Sequence, residues 1–395
     1  MSSTNLDELS KQYRFSTDVL AELNEIYPGQ LKVVIEALRE PGTKYYFRVN
    51  TLEAAPEIVL ERLKARGLNA LRENSIRDVL YFEIDGPNPL PTTEHSIEVD
   101  KNTAESVLLG ANVYAPGVTA CQGLRLGSKV TVTDKHGEAV GVGISKMNER
   151  QILGVRKGIA VEITTPKYVV PNMRQSPEFL DGLILPQSLP AIISGLVLGP
   201  SSQDVVVDLC ASPGGKTTHL AQLMRNKGKI VAIDRSQEKI SQLRETVARL
   251  HVKNVTLLCH DSRYVDRDYP NLRADKVLVD PPCSALGLRP SVYEDSTKED
   301  IIKLARYQRQ FLKAAANIVK SGGLVTYSVC TMTKEECEEN TKFVIDECGL
   351  ELVKQPIFLG SPGLERLCPA ANLAQRFAPH IHNTSGYYVA LFRKT

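Results

Sequence analysis

The stretch VVVDLCASPGGKTTHLA, residues 205–221, decides how this chain is read. An apolar β-branched run ends in Asp208, a glycine pair follows, and a helical pattern opens at Lys216. Strand, tight turn and helix in that order form the unit from which doubly wound α/β sheets are built. Gly215-Lys216-Thr217 match the end of a phosphate loop, G-x-x-x-x-G-K-[ST]. Cys210, however, stands where the leading glycine must let the backbone wrap around phosphates. The run KVLVD, ending at Asp280, imitates the acidic strand of such enzymes, yet Pro281-Pro282-Cys283 follow it, for which a triphosphatase has no evident use. Nor is the spacing G-x-G-x-x-G, so a dinucleotide is not indicated.

A methyl donor accounts for more of these residues. Pro213-Gly214-Gly215 turn tightly into a helix and aim free backbone N–H groups at an anion, which in S-adenosylmethionine is the methionine carboxylate. Working outward, the strand candidates VVVDL, KIVAID, VTLLC, KVLVD, GLVTYS and YYVALF alternate with helices near 216–225, 237–250, 297–319 and 334–347. Apolar runs alternating with amphipathic helices predict a doubly wound, mainly parallel sheet, with ligands bound at the carboxyl ends of its strands. The residues at those ends are assigned to the donor: Cys210, Ala211, Pro213, Gly214, Gly215 and Lys216 after the first strand, then Asp234 with Arg235, Asp261 and Asp280. Asp234 is placed to accept both ribose hydroxyls and Asp261 to reach the adenine amino group. Taken singly, either is also an ordinary helix cap; three strand ends in register are harder to dismiss.

Upstream the texture differs. Residues 16–39 carry apolar side chains at helical spacing on both sides of Pro28-Gly29, a helical hairpin; a strand through 45–52 and a helix over 56–66 complete a small α+β region, 1–95. Residues 96–168 offer a short helix (AESVLLG), the segment GANVYAPGV and strand candidates KVTVTD, VGVGIS and ILGVRKGIAVEI separated by glycine turns, the pattern of a small β-barrel. Pro166, Pro171 and Pro177 mark a linker into the third unit, 169–395.

The chain has 395 residues, room for two or three domains, and a formal net charge of only +2. A nucleic-acid partner would have to be met by local basic patches. The N-terminus lacks a signal-like apolar core, and no run approaches the roughly 18 apolar residues of a membrane span, so a cytoplasmic protein is expected. Eight cysteines form no C-x-x-C pair, so neither structural zinc nor any other metal is expected, and most should be small apolar core residues.

Two cysteines stand apart. DPPCSALG (280–287) and YSVCTMTKEECEEN (327–340) each place one, Cys283 and Cys330, just after a strand. Carbon 5 of cytosine is a poor nucleophile until a thiolate adds to carbon 6; it then attacks a sulfonium methyl. That chemistry needs a thiol, of which only about 3% is ionised at neutral pH unless a cation or helix N-terminus helps. It also needs a proton donor at N3, a role open to Asp280, and a base. Residue chemistry alone does not rank the two cysteines.

At these motifs residues 171–395 resemble the Sun-type RNA (cytosine-5)-methyltransferases, through LCASPGGKT, Asp234, Asp261, DPPCSALG, YSVCT and RFAPHIHNTSGYYVALF. The resemblance implies an α/β fold of the Rossmann-like class I methyltransferase type, with Cys330 as nucleophile, Cys283 assisting release, and Lys216 and Asp280 lining the cytosine pocket. Val329 and Ala285 depart from the family's usual threonine and glycine. Residues 96–168 resemble a PUA domain, an RNA-binding barrel. Its expected RNA contacts are Gly110, Ala111, Tyr114, Pro116 and Gly117 in turns, with Lys146, Arg150, Arg156 and Lys157 reaching phosphates. This layout, with GLRP at 287–290, is similar to the subfamily that methylates cytosine 72 of the tRNA acceptor stem. It implies a tRNA partner held by its CCA end; a monomer is expected. A terminal pair is cheaper to open than a central one when a base must be flipped out.

Overall fold

The structure, a computed structural model, describes residues 3–395. It begins with α1 (Ser3–Tyr13), α2 (Thr17–Ile26) and α3 (Leu31–Arg39). Ser16 caps α2 by accepting the Val19 N–H at 3.2 Å. The apolar faces of α2 and α3 pack on Leu286, Ile301, Met332 and Ala378, so the hairpin sits against loops from the far end of the sequence. Next come β1 (Lys44–Val49), α4 (Pro56–Ala65), β2 (Leu71–Arg72) and β3 (Val79–Glu83), the last two not anticipated from sequence. Their sheet takes its fourth strand from residues 184–186, which pair antiparallel with β1.

The middle unit comprises β4 (His95–Val99), α5 (Lys101–Leu108), β5 (Val113–Tyr114), β6 (Val118–Cys121), β7 (Lys129–Thr133), β8 (Ala139–Ser145), α6 (Glu149–Val155) and β9 (Ile159–Pro166). The sheet order is β5-β9-β8-β7-β4-β6, and side chains from all six strands share one core with α5. The expected strand ILGVRKGIAVEI is corrected: its first half is helix. Asn148 and Gln151 form a reciprocal capping box, which starts α6, and Arg156 ends it in the left-handed region (φ 49°). Local capping overrode an apolar run of which Leu153 and Val155 remain exposed.

The last unit contains α7 (Pro177–Leu180), β10 (Ile184–Pro186), α8 (Leu189–Leu198), β11 (Val205–Asp208), α9 (Gly215–Leu223), β12 (Lys229–Asp234), α10 (Gln237–Arg249), β13 (Val255–Cys259), α11 (Val265–Asp268) and β14 (Ala274–Val279). It continues through α12 (Lys298–Ile318), β15 (Val319–Val329), α13 (Glu338–Cys348), β16 (Leu350–Leu352), β17 (Ser361–Pro362), β18 (Gln375–Phe377), α14 (Pro379–His382) and β19 (Tyr387–Lys394). Strands β13-β12-β11-β14-β15 run parallel and β19 joins β15 antiparallel, extending to β18 and β17. The chain leaves β11 toward β12 on one side and returns as β14 on the other. A crevice therefore opens at their carboxyl ends, the expected ligand position in an open α/β sheet. Helix α13 starts at Glu338 rather than near Lys334, because Glu336 turns inward to the site described below.

One buried side chain couples the first sheet to the last. Arg48 on β1 donates to Gln187 Oε1 (3.1 Å), Thr218 Oγ1 (3.2 Å) and Gln222, the last two on α9. Burial lowers the Arg48 guanidinium to about 10, still charged at neutral pH. Among the described residues no helix is long and apolar enough to cross a membrane.

Candidate active site

The first strand end builds a turn around Gly214, whose φ of +108° suits only glycine; a Cβ there would lie 2.9 Å from Leu243 Cδ1. Behind it, buried Asp208 accepts from Thr217 Oγ1 (2.7 Å) and the Cys210 N–H (3.2 Å), so the loop folds back on its own strand. Burial pushes the Asp208 carboxyl up to about 6. Asp234 at the end of β12 is 5% exposed, and it accepts the Ser212 N–H at 3.1 Å and the Arg235 N–H at 2.8 Å. A pocket opens between these ends, lined among others by Cys210, Asp234, Arg235, Asp261, Tyr307 and Phe311.

Cys210, Asp234, Arg235 and Asp261, assigned to the donor from sequence, thus line one pocket. Ala211 and Gly214 are buried and shape the turn, while Pro213 is exposed. Arg263 lies with Nε 2.9 Å from Asp261 Oδ1, and its hydrogen bonds hold that carboxyl below the usual range. Sequence reasoning missed Lys239, Tyr307 and Phe311. The last two lie one turn apart on α12, a spacing that puts both rings on one helix face. A pocket with carboxylates at two strand ends and aromatic walls fits a ligand bearing ribose hydroxyls and a purine.

Beside it the ends of β14 and β15 converge. Cys283 Sγ and Cys330 Sγ are 3.2 Å apart. The hydrogen bond to Cys330 and burial together raise the Cys283 thiol well above its ordinary value. Asp280 Oδ2 accepts Lys216 Nζ at 2.6 Å, and Oδ1 accepts Ser328 Oγ at 2.8 Å and Tyr387 OH at 3.0 Å. Burial alone would lower the Lys216 ammonium, but Asp280 and Tyr387 outweigh it and hold it raised. Ser328 and Tyr387 were not singled out from sequence, although both lie inside the quoted motifs YSVCT and GYYVALF.

A second carboxylate ties the two cysteine loops together. Glu336 is fully buried and accepts from the Ser284 N–H (2.9 Å), Gln308 Nε2 (2.7 Å), Thr333 Oγ1 (2.9 Å) and the Ser284 hydroxyl. Gln308 also donates to Pro282 O at 3.0 Å. Nothing in the sequence marks Glu336 among its acidic neighbours. The two departures from the family pattern have local accounts. Val329 is buried in the sheet core, where a hydroxyl has no required partner. Ala285 takes φ 59°, a left-handed conformation that glycine adopts with less strain.

The expected RNA contacts are scattered by comparison. Tyr114 is 51% exposed, and Arg156 donates to Pro116 O at 2.6 Å, so these three share one rim of the barrel. Arg150 and Lys157 are exposed, and Lys146 pairs with Glu162 at 2.5 Å. Gly110 and Ala111 lie at another corner, where Gly110 faces Pro166. Gly117 is corrected: it is buried, and a Cβ there would sit 2.0 Å from Thr103 Oγ1, so its small size serves internal packing.

The family profile described as 16S rRNA methyltransferase RsmB/F matches residues 195–393, and the PUA domain profile matches 95–166. The chain is 42% identical over 384 residues to the tRNA (cytosine(72)-C(5))-methyltransferase of Pyrococcus horikoshii, covering 94% of this chain and 96% of that protein. It is 28% identical to human tRNA (cytosine(72)-C(5))-methyltransferase NSUN6, covering 89% of this chain and 83% of that one. The crystal structure of NSun6 from Pyrococcus horikoshii with SFG, an analogue of S-adenosylmethionine, superposes with a TM-score of 0.88 at 39% identity, covering 97% of this chain and 99% of that one. With its strand-end pocket, its paired cysteines and these matches, the chain belongs to the RsmB/F (Sun-type) family of S-adenosylmethionine-dependent RNA (cytosine-5)-methyltransferases and carries a PUA domain ahead of the catalytic fold.

Proposed function

We propose that this enzyme methylates carbon 5 of cytosine 72 in the tRNA acceptor stem, with Cys330 as nucleophile and Cys283 as the release group. The single observation that carries the mechanism is the 3.2 Å approach of two sulfurs from adjacent strand ends, beside the Asp280–Lys216 pair. When bound, S-adenosylmethionine supplies an electrophilic sulfonium methyl. Cys330 as thiolate forms a bond to carbon 6, and the displaced electron pair makes carbon 5 nucleophilic while N3 takes a proton. Asp280 and Lys216 face that edge of the base; Ser328 and Tyr387 fix the carboxylate so that it need not reorganise. Carbon 5 takes the methyl as the donor's carbon–sulfur bond breaks, then gives its proton to a base; the carbon 5–carbon 6 double bond re-forms, the Cys330 sulfur leaves as a thiolate, and N3 gives up the proton it took. Cys283, held as a thiol beside the departing sulfur, assists that last step.

On this reading residues 1–95, 96–168 and 169–395 are the N-terminal region, PUA domain and methyltransferase domain. Substrate choice is supported by how much of the chain each relative matches: the tRNA enzyme from Pyrococcus spans 94% of it, whereas a human 28S rRNA (cytosine-5)-methyltransferase spans 55%. The test is a pair of variants incubated with tRNA and labelled donor. Cys330→Ala should abolish transfer while donor binding persists, and Cys283→Ala should accumulate a covalent protein–tRNA adduct on a denaturing gel. Residual methylation by the first, or absence of adduct in the second, reassigns the roles. Mapping of methylated cytosines that finds position 72 unmodified overturns the substrate.

A further inference from the structure

We infer that the cavity where the N-terminal sheet, the PUA domain and the catalytic loops meet is a nucleotide subsite, in which Arg289 holds a phosphate of the strand adjoining the target cytosine. The inference rests on the tRNA reading above and adds a site to it. The cavity has a volume of about 260 Å³; its walls include Tyr45, Leu109, Gln187, Arg289 and Asn383. No acidic side chain lines it, in a chain that carries 46 Asp and Glu residues. The one other cation in its wall, Lys44, is already paired with Glu73 at 3.2 Å.

Arg289 differs. Its Nε donates to Glu40 O (2.7 Å) and its Nη1 to Pro379 O (3.2 Å), and among the described residues no carboxylate pairs with it. Two of its five N–H groups are thereby spent on fixing the plane of the fork, and the remaining three have no protein partner. Burial lowers this guanidinium to about 10, while the charge of nearby Glu40 acts the other way; it stays charged at neutral pH, and its planar fork matches phosphate oxygens.

The cavity is also joined to the thiols by backbone. Gly287 N–H donates to Cys330 O at 3.1 Å, and Gly386 N–H donates to Gly287 O at 2.7 Å. Arg289 follows the first of these glycines by two residues, and Ser385, another wall residue, directly precedes the second. A strand whose cytosine is turned into the active site must continue along these loops, and Leu109 brings the PUA domain, next to the Gly110-Ala111 turn, to the same cavity.

The test uses the full-length enzyme with tRNA transcripts. Arg289→Ala should raise KM for tRNA about tenfold, leave the Kd of S-adenosylmethionine unchanged, and reduce the slope of log affinity against log salt by about one contact. Arg289→Lys should recover part of the affinity, because it keeps the charge and loses the fork. Because Arg289 also bonds two carbonyls, a second arm leaves the protein intact: a single methylphosphonate is walked through the phosphates flanking the target. At one position the wild type should lose as much affinity as Arg289→Ala does, and the variant should lose nothing more there. An unchanged salt slope in Arg289→Ala, or additive losses at every position, overturns the subsite even if tRNA is methylated normally. Failure of the wild type to methylate tRNA at all overturns the functional reading instead.

Discussion

The carboxyl end of the catalytic sheet and the outer rim of the PUA domain both present charge, but in opposite ways. Lys216 is held by Asp280 in the crevice, and Asp280 in turn is held by Ser328 and Tyr387. On the rim, Lys157 is exposed and Lys146 pairs only with an equally exposed glutamate. Burial makes each charge expensive unless its partners are complete, so the crevice is all-or-none; solvent screens the rim, so its members act weakly and additively. The difference separates groups built to hold a geometry from groups that attract a polyanion.

Substitutions should reproduce that contrast. Among the charged groups, the largest effect is expected of Asp280→Asn, which leaves the Lys216 ammonium facing an amide and removes the proton-handling group. Single-turnover transfer should fall by about 10² to 10⁴-fold, with tRNA binding nearly intact; a drop below about tenfold would equate Asp280 with a rim residue. Glu336→Gln comes next. An amide cannot accept all the donors that converge on Glu336, so the Cys283 and Cys330 loops should loosen, at a cost of about 1–3 kcal/mol of stability. Its signature as a positioning residue is a lower kcat with unchanged donor Kd, recovered in part by Glu336→Asp.

Asp208 gives a smaller effect that depends on pH. Burial raises its carboxyl to about 6, so the folded state binds the proton more tightly than the unfolded chain does. Stability from this group is present below about pH 4 and is lost as pH rises through about 6. Asp208→Asn should flatten that decline, read from urea midpoints at intervals across the window. The smallest effect is expected of Lys157→Ala: under about threefold in tRNA KM, and smaller still in high salt. A tenfold loss there would erase the distinction between the two regions.

The catalytic half was legible because its signals are local and periodic. Each apolar run that ends in Asp208, Asp234 or Cys259 is a strand, and the residues after it lie at the crevice. The barrel was less legible, since Asn148 capping a helix competes with an apolar run that also suits a strand. Strand β10 pairs with β1 from more than 130 positions away, a partnership no window of sequence contains. The same holds for Glu336, Tyr307 and Phe311, which gain meaning only from what faces them.

By itself, the order of residues determined the chemistry available: a glycine turn that admits an anion, acids at successive strand ends, and two thiols after two strands. Spacing along a chain translates directly into position along a strand or helix, which is why those features could be read. The tertiary structure alone decided that the two sulfurs touch, that one buried glutamate binds their loops, and that three regions enclose a cavity without acids. Those are relations between segments far apart in the chain, set by packing and by the need to satisfy every buried polar group.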